Sequence, residues 1–158
     1  MSGPEQARAP SPEELPSITK AEADNVIAEL LLQLPTRRAA KRVLELYEQS
    51  GSPVAVFLGF EGIDPAAEDI EQQFHGHYFG AFTRDEVIQT GIEIAEYDFA
   101  LEDFLLDRGL PDNALEWNFD ALWPVIRSQY LLVQEDHYFH VFDSDLTARA
   151  QRSEEVTT

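Results

Sequence analysis

Phe74-His75-Gly76-His77-Tyr78-Phe79-Gly80-Ala81-Phe82-Thr83-Arg84-Asp85-Glu86 is where two kinds of structure meet in this chain. Aromatic residues at 74, 78 and 82, with two glycines between them, predict an extended segment and a turn. Thr83 with Glu86 three residues on is a capping box, in which each side chain satisfies a backbone N–H that the first helical turn leaves free. A single helix is therefore predicted from Thr83 to about Arg108, weakened at Gly91 and stopped by Gly109 and Pro111.

Toward the C-terminus, Asn118 caps a predicted helix over 118–129, which Pro124 limits or bends. Tyr130–Val133 and Tyr138–Phe142 read as strands joined through 134–137. Toward the N-terminus, Asp64 and Pro65 have the N-cap and first-turn chemistry of a short helix over 66–72. Ser52–Phe60 is open: Val54, Val56 and Phe57 favour a strand by propensity, while periodicity leaves a buried helix possible. A helix is predicted over about 36–49, with Val43, Leu44 and Tyr47 inward and Gly51 at its C-terminal stop. Another starts between Ala21 and Asp24 and carries Val26, Ile27, Leu30, Leu31 and Leu34 to Pro35. Pro4, Pro10, Pro12 and Pro16 mark residues 1–22 as a disordered arm, and residues 147–158 read as a flexible tail. The expected fold class is α+β. A small helical domain over 23–70 precedes an acidic α+β domain over 71–146, with acidic helices and a short antiparallel sheet of about three strands.

Charge is the strongest functional signal. Thirty acids against eleven bases give a net charge of −19, well beyond the ~2–8 that keeps a small domain soluble. Ten Phe, five Tyr and two Trp argue for a folded core and against a solvating acidic tail. The charge is also uneven: residues 61–120 hold sixteen acids and two bases, Arg84 and Arg108, whereas residues 1–60 hold eight acids and six bases. Fourteen net charges match about 24 Å of duplex, or about seven base pairs. On the predicted 83–108 helix, Asp85, Glu93, Glu96, Asp103 and Asp107 lie opposite an apolar side built from Val87, Ile94, Leu101 and Leu105, with Ile88, Ala95, Phe99 and Leu106 adjoining. They form a row of carboxylates along roughly 33 Å of axis. An ordinary solvated face carries Lys or Arg at i+4 to relieve the repulsion, and this one has arginine only at its ends.

Such a surface repels phosphates, so direct nucleic-acid binding is a poor expectation, and a basic protein is the natural partner. The basic cluster Arg37, Arg38, Lys41 and Arg42 reads either as a solvated face or as a contact with the acidic half. Absence of Cys excludes disulfides, thiolate metal sites and cysteine nucleophiles. No signal peptide and no apolar run of membrane length appear, so the expected location is cytoplasmic. His75 and His77 would share one face of a strand, and His137 and His140 stand three apart, but no third metal ligand has suitable spacing. The acids are too many and too alike for one acid–base pair to stand out. No enzyme activity, cofactor or metal is expected. A metal-dependent enzyme built on His75, His77 and carboxylates is the weakest alternative.

Phe74-His75-Gly76-His77-Tyr78-Phe79-Gly80 resembles the aromatic–x–Gly–acid–aromatic segment of the ArdA antirestriction family, known as its antirestriction motif. The resemblance extends back through Gly51-Ser52-Pro53-Val54-Ala55-Val56-Phe57-Leu58 and Gly62-Ile63-Asp64, and forward to Asn118-Phe119-Asp120-Ala121-Leu122-Trp123 and Tyr138-Phe139-His140-Val141-Phe142, covering roughly residues 42–143. It implies an elongated acidic homodimer that mimics bent B-form DNA and binds type I restriction–modification enzymes in place of DNA. It also implies a helical middle domain, which moves the expectation for Ser52–Phe60 from strand to helix. His77 stands where the family usually has an acid, Phe79 where an acid is common, and residues 1–22 are too short to match the family's N-terminal sheet domain. The departures imply a different target: a different restriction enzyme, another DNA-binding enzyme or a defence nuclease.

The expected function is an acidic DNA mimic that occupies the DNA groove of a restriction–modification enzyme or another basic DNA-binding protein. The alternative is an acidic interaction module, or a chaperone-like partner of a basic protein, without DNA competition. The expected phosphate-mimicking carboxylates are Glu61, Asp64, Glu68, Asp69, Glu71, Asp85, Glu86, Glu93, Glu96, Asp103, Asp107, Asp112 and Glu116. Phe74, Gly76, Tyr78 and Phe79 are the motif residues considered for a dimer interface.

Overall fold

Short-range capping chemistry sets most helix starts. Helix α1 (Lys20–Gln33) opens on a capping box between Thr19 and Glu22. Helix α2 (Arg37–Ser50) opens on Thr36, whose side chain accepts from the Ala39 N–H. Gly51, at φ +80°, ends α2 and begins α3 (Ser52–Leu58), a left-handed position that costs glycine little. The computed structural model describes residues 15–146. The remaining elements are α4 (Ile70–His77), β1 (Tyr78–Phe82), α5 (Arg84–Ile94), α6 (Tyr97–Asp107), α7 (Phe119–Arg127), β2 (Leu131–Glu135) and β3 (Tyr138–Phe142). The fold class is α+β.

The sheet is antiparallel, in the order β1-β3-β2. β2 and β3 form a hairpin closed by Asp136 and His137, with Asp136 at φ +55°. Tyr78 pairs with Phe142 but Gly80 pairs with Val141, so Phe79 is an extra residue in β1. A bulge of this kind reverses which face the following side chains occupy. Tyr78 accordingly packs with the first of two cores and Phe82 with the second.

Those cores lie on opposite faces of the sheet. The first joins α1–α4 to the sheet through Ile27, Val43, Leu46, Phe57, Phe74 and Phe142. The second joins α5 and α7 to the sheet through Val87, Ile88, Ile92, Ile126, Leu132 and Val141. The division between packing units therefore runs along the sheet. Phe74, Tyr78, Leu131 and Phe142, all C-terminal to residue 70, complete the core of the helical layer.

Several sequence expectations are corrected. Part of the arm over 1–22 is ordered: the Ile18 N–H donates to Gln134 O at 2.9 Å and the Gln134 N–H to Pro16 O at 2.8 Å, covering the outer edge of β2. Residues 1–14 and the tail over 147–158 lie outside the described residues. Asp64 accepts from the Ala66 N–H at 3.0 Å in a turn, and the next helix begins at Ile70. The segment read as extended from Phe74 is helical through His77. Ile70 and Phe74, four apart, are both fully buried, and Gly76 carries no positive φ, so burial on one helical face prevails over the glycine signal. For Ser52–Leu58 the helix implied by resemblance is the one found, against strand propensity. Six of its seven residues are buried, and tertiary packing overrides the preferences of Val54 and Val56.

The predicted helix over 83–108 is two helices. Ala95 ends α5, and Glu96 is left-handed at φ +62°, a conformation that costs a non-glycine residue about 1–2 kcal/mol. Beyond the break Tyr97, Leu101 and Leu105 face inward while Phe99 and Leu106 are exposed; Ile94, the last residue of α5, is exposed as well. Gly91 lies against α7: a Cβ there would sit 2.6 Å from Ile126 Cγ2. Its role is close helix approach.

Candidate functional site: an acidic face and a buried polar chain

Every one of the thirteen carboxylates nominated from sequence is exposed. Glu61, Asp64, Glu68 and Asp69 lie on the turns before α4, with Glu71 in its first turn. Asp85, Glu86 and Glu93 are on α5, Glu96 is at the break, Asp103 and Asp107 are on α6, and Asp112 and Glu116 are in the following loop. The array is carried by separate elements, so the continuous single-helix row expected from sequence does not form.

Several of these acids also do local work. Glu86 Oε1 accepts from the Thr83 N–H at 2.9 Å, Asp69 Oδ1 from Gln73 Nε2 at 2.7 Å and Glu93 Oε2 from Gln89 Nε2 at 3.3 Å. Arg84 pairs with Asp120 and lies 4.0 Å from Asp85, with its guanidinium 5.8 Å from the Trp123 ring centre. Exposed ion pairs of this kind contribute little to stability, so the array is held mainly by the packing beneath it.

Both readings of the basic helix hold in part. Arg37, Arg38 and Lys41 are exposed. Arg42 turns toward the acidic segment: its Nη2 donates to Ala66 O at 3.1 Å, and it lines a cavity of about 80 Å³ with Glu45, Gln49, Glu68 and Glu71. Arg42 thus shares a cavity with two of the thirteen carboxylates.

The four motif residues separate. Phe74 is fully buried, edge-on to Phe57 at 5.6 Å, which removes it as an interface candidate. Gly76 is exposed, with open space where a Cβ would stand. Phe79 is 51 % exposed, beside an apolar groove of about 130 Å³ lined by Phe82, Val87, Thr90, Ile94, Tyr130 and Val141. His75 is exposed while His77 is half-buried, stacked on Phe57 and 3.7 Å from Asp143. Because they sit on a helix, these two histidines do not share the face a strand would give them. Among the described residues no group of three or more His, Asp or Glu is placed to hold a metal ion.

Tyr78 belongs to a polar chain that sequence reasoning missed. On the face of the sheet toward the helical layer, Ser52 Oγ donates to Glu135 Oε2 at 3.0 Å. His140 Nε2 lies 2.8 Å from Glu135 Oε1, and its Nδ1 3.0 Å from the Tyr78 hydroxyl. With Glu135 ionised, Nε2–H donates to the carboxylate, leaving Nδ1 to accept the phenol proton. Burial, and secondarily the charge on Glu135, push the Tyr78 hydroxyl up to about 12. His140 is only 6 % exposed, and its partners satisfy what would otherwise be a costly buried group. The available signal was strand alternation: His140 must share a face with the core residue Phe142. The chain ties α3 to all three strands, which gives it a structural role.

Comparison with protein-family models, with curated proteins and with solved structures finds no match to this chain. The fold and the exposed acidic face define it as an α+β protein with a strongly anionic surface. Among the described residues no helix is long and apolar enough to cross a membrane.

Proposed function

We propose that this protein is a non-enzymatic acidic decoy that occupies the DNA groove of a DNA-binding enzyme, competing with the duplex. The observation that carries the reading is the exposure of all thirteen carboxylates over a stretch with sixteen acids and two bases. Their support is a folded scaffold with two packed cores, so the charges are held in place before a partner arrives. The resemblance to the ArdA family points to type I restriction–modification enzymes as the target class, acting in the cytoplasm. Opposite charge would steer the encounter and make it sensitive to salt.

The test is displacement of a labelled DNA duplex from a purified type I methyltransferase core at increasing salt. The expected result is displacement that weakens as salt rises. Combined Glu93→Lys, Glu96→Lys and Asp103→Lys is expected to weaken it by about tenfold or more, a change of ~1.4 kcal/mol. Failure of the protein to displace the duplex, or an affinity indifferent to salt, rejects the reading.

A second reading, a module that binds a basic protein without competing for DNA, is favoured by one observation. Phe99 and Leu106, among the acids of α6, are 66 % and 80 % exposed, and a surface that imitates phosphates alone has no use for them.

A further inference from the structure

Helix α6 has an outward face that electrostatics does not explain. Of its eleven residues only Leu105 is buried, with Tyr97 and Leu101 half-covered beside it. On the opposite side stand Phe99 and Leu106, seven residues apart and therefore about 20° apart around the axis and ~10.5 Å along it. Glu102 and Asp103 flank the line joining them on its two sides, and all of these side chains are exposed. Asp98 and Asp107 extend the acidic border at the two ends, Asp98 also accepting from Trp117 Nε1 at 3.0 Å. Isolated exposed apolar residues are ordinary. Phe99 and Leu106 occupy the i and i+7 places of the pattern by which a helix enters an apolar groove, while the i+3 and i+4 places between them hold the carboxylates of Glu102 and Asp103.

From this we infer that α6 is a docking helix for a basic protein whose cleft has an apolar floor. Phe99 and Leu106 enter the floor, and Lys or Arg on the rims meets Glu102, Asp103 and Asp107. Charge selects this occupant. A second copy would bring the same carboxylates face to face, and duplex DNA or an anionic lipid surface would be repelled in the same way. A cleft that offers cations alone would leave both apolar side chains without a partner. The inference rests on the acidic face being the binding face, and it adds that the target is recognised by apolar fit as well as by charge.

The probes are two synthetic peptides of equal positive charge, one with Lys and Leu at helical spacing so that the Leu side chains share one face, and one with Ser in place of each Leu. They are titrated into the full-length protein and into the Phe99→Ser/Leu106→Ser variant, and amide shifts locate the binding. The wild type is expected to bind the Lys/Leu peptide about tenfold or more tighter than the Lys/Ser peptide, the worth of one well-buried apolar side chain. Shifts should centre on α6, and the variant should lose the preference while keeping its affinity for Lys/Ser. Equal binding of the two peptides by the wild type, a preference that survives in the variant, or shifts centred on the groove beside Phe79 would each overturn the inference. So would concentration-dependent self-association that the double substitution abolishes, since a second copy would then be the occupant. Thermal midpoints of the two proteins are expected to coincide, because both side chains are exposed. Should that pair of substitutions unfold the protein, the single Leu106→Ser variant and the wild-type shift map decide the matter. Duplex displacement separates the two claims: a peptide preference centred on α6 without displacement keeps the docking helix and rejects DNA mimicry, whereas displacement without the preference does the reverse.

Discussion

Helices α3 and α6 place their side chains in opposite ways. Six of the seven residues of α3 are buried, whereas of the eleven in α6 one is. Strand propensity opposes a helix at α3, and it forms because Val54, Phe57 and Leu58 complete the core beneath the sheet. In α6 there is little to bury, and the helix stands at the surface on Leu105 and on the contact between Tyr97 and Trp117 (5.9 Å between ring centres). The helical layer thus supplies packed core, and the acidic segment presents most of its length to solvent. The proposed decoy, which would meet its partner with charges already in position, needs both.

The contrast should be largest when one apolar residue is truncated in each of the two helices. Phe57→Ala is expected to cost about 3–5 kcal/mol by loss of transfer energy and creation of a cavity. Leu106→Ala should change stability by no more than about 0.5 kcal/mol. Urea unfolding of the two variants side by side checks this, and comparable losses would mean that α6 is a core helix after all.

A smaller effect is expected where α5 touches α7. Gly91→Ala places a methyl 2.6 Å from Ile126 Cγ2, and Ile126 is fully buried. Overpacking should cost about 1–3 kcal/mol, exceeding the ~1 kcal/mol that alanine gains over glycine within a helix. A higher thermal midpoint in this variant would show that α7 yields, and that the second core is the looser one.

An effect confined to high pH concerns the polar chain between the helical layer and the sheet. The Tyr78 hydroxyl is raised to about 12, so the folded state favours its neutral form. That contribution is fully present below the ordinary tyrosine value of about 10 and is lost as pH rises from about 10 to about 12. The stability difference between wild type and Tyr78→Phe should therefore be flat below this window and shift against the wild type within it. A difference that stays constant to pH 12 would take Tyr78 out of the buried chain.

The features legible in the chain before folding are local or additive. Thr83 with Glu86 and Asn118 before Phe119 mark helix starts because a cap involves residues only three apart. The β2–β3 hairpin is legible from its alternating apolar residues, and the concentration of acid in 61–120 needs only counting. Exposure of all the nominated carboxylates follows as readily, since an unpaired charge is rarely buried. Tertiary packing alone puts Phe74 in the core, turns the chain at Glu96 and brings Ser52, Tyr78, Glu135 and His140 together, and it supplies the physical reason for the helix over Ser52–Leu58 that the resemblance implied. Each of these depends on what lies across the interior from the residue concerned, and burial energies of several kcal/mol outweigh local preferences of about one. The exposure of Phe99 and Leu106 has the same origin. A single left-handed residue turned the helix beneath them, and one residue's backbone angle is beyond what a periodic pattern records.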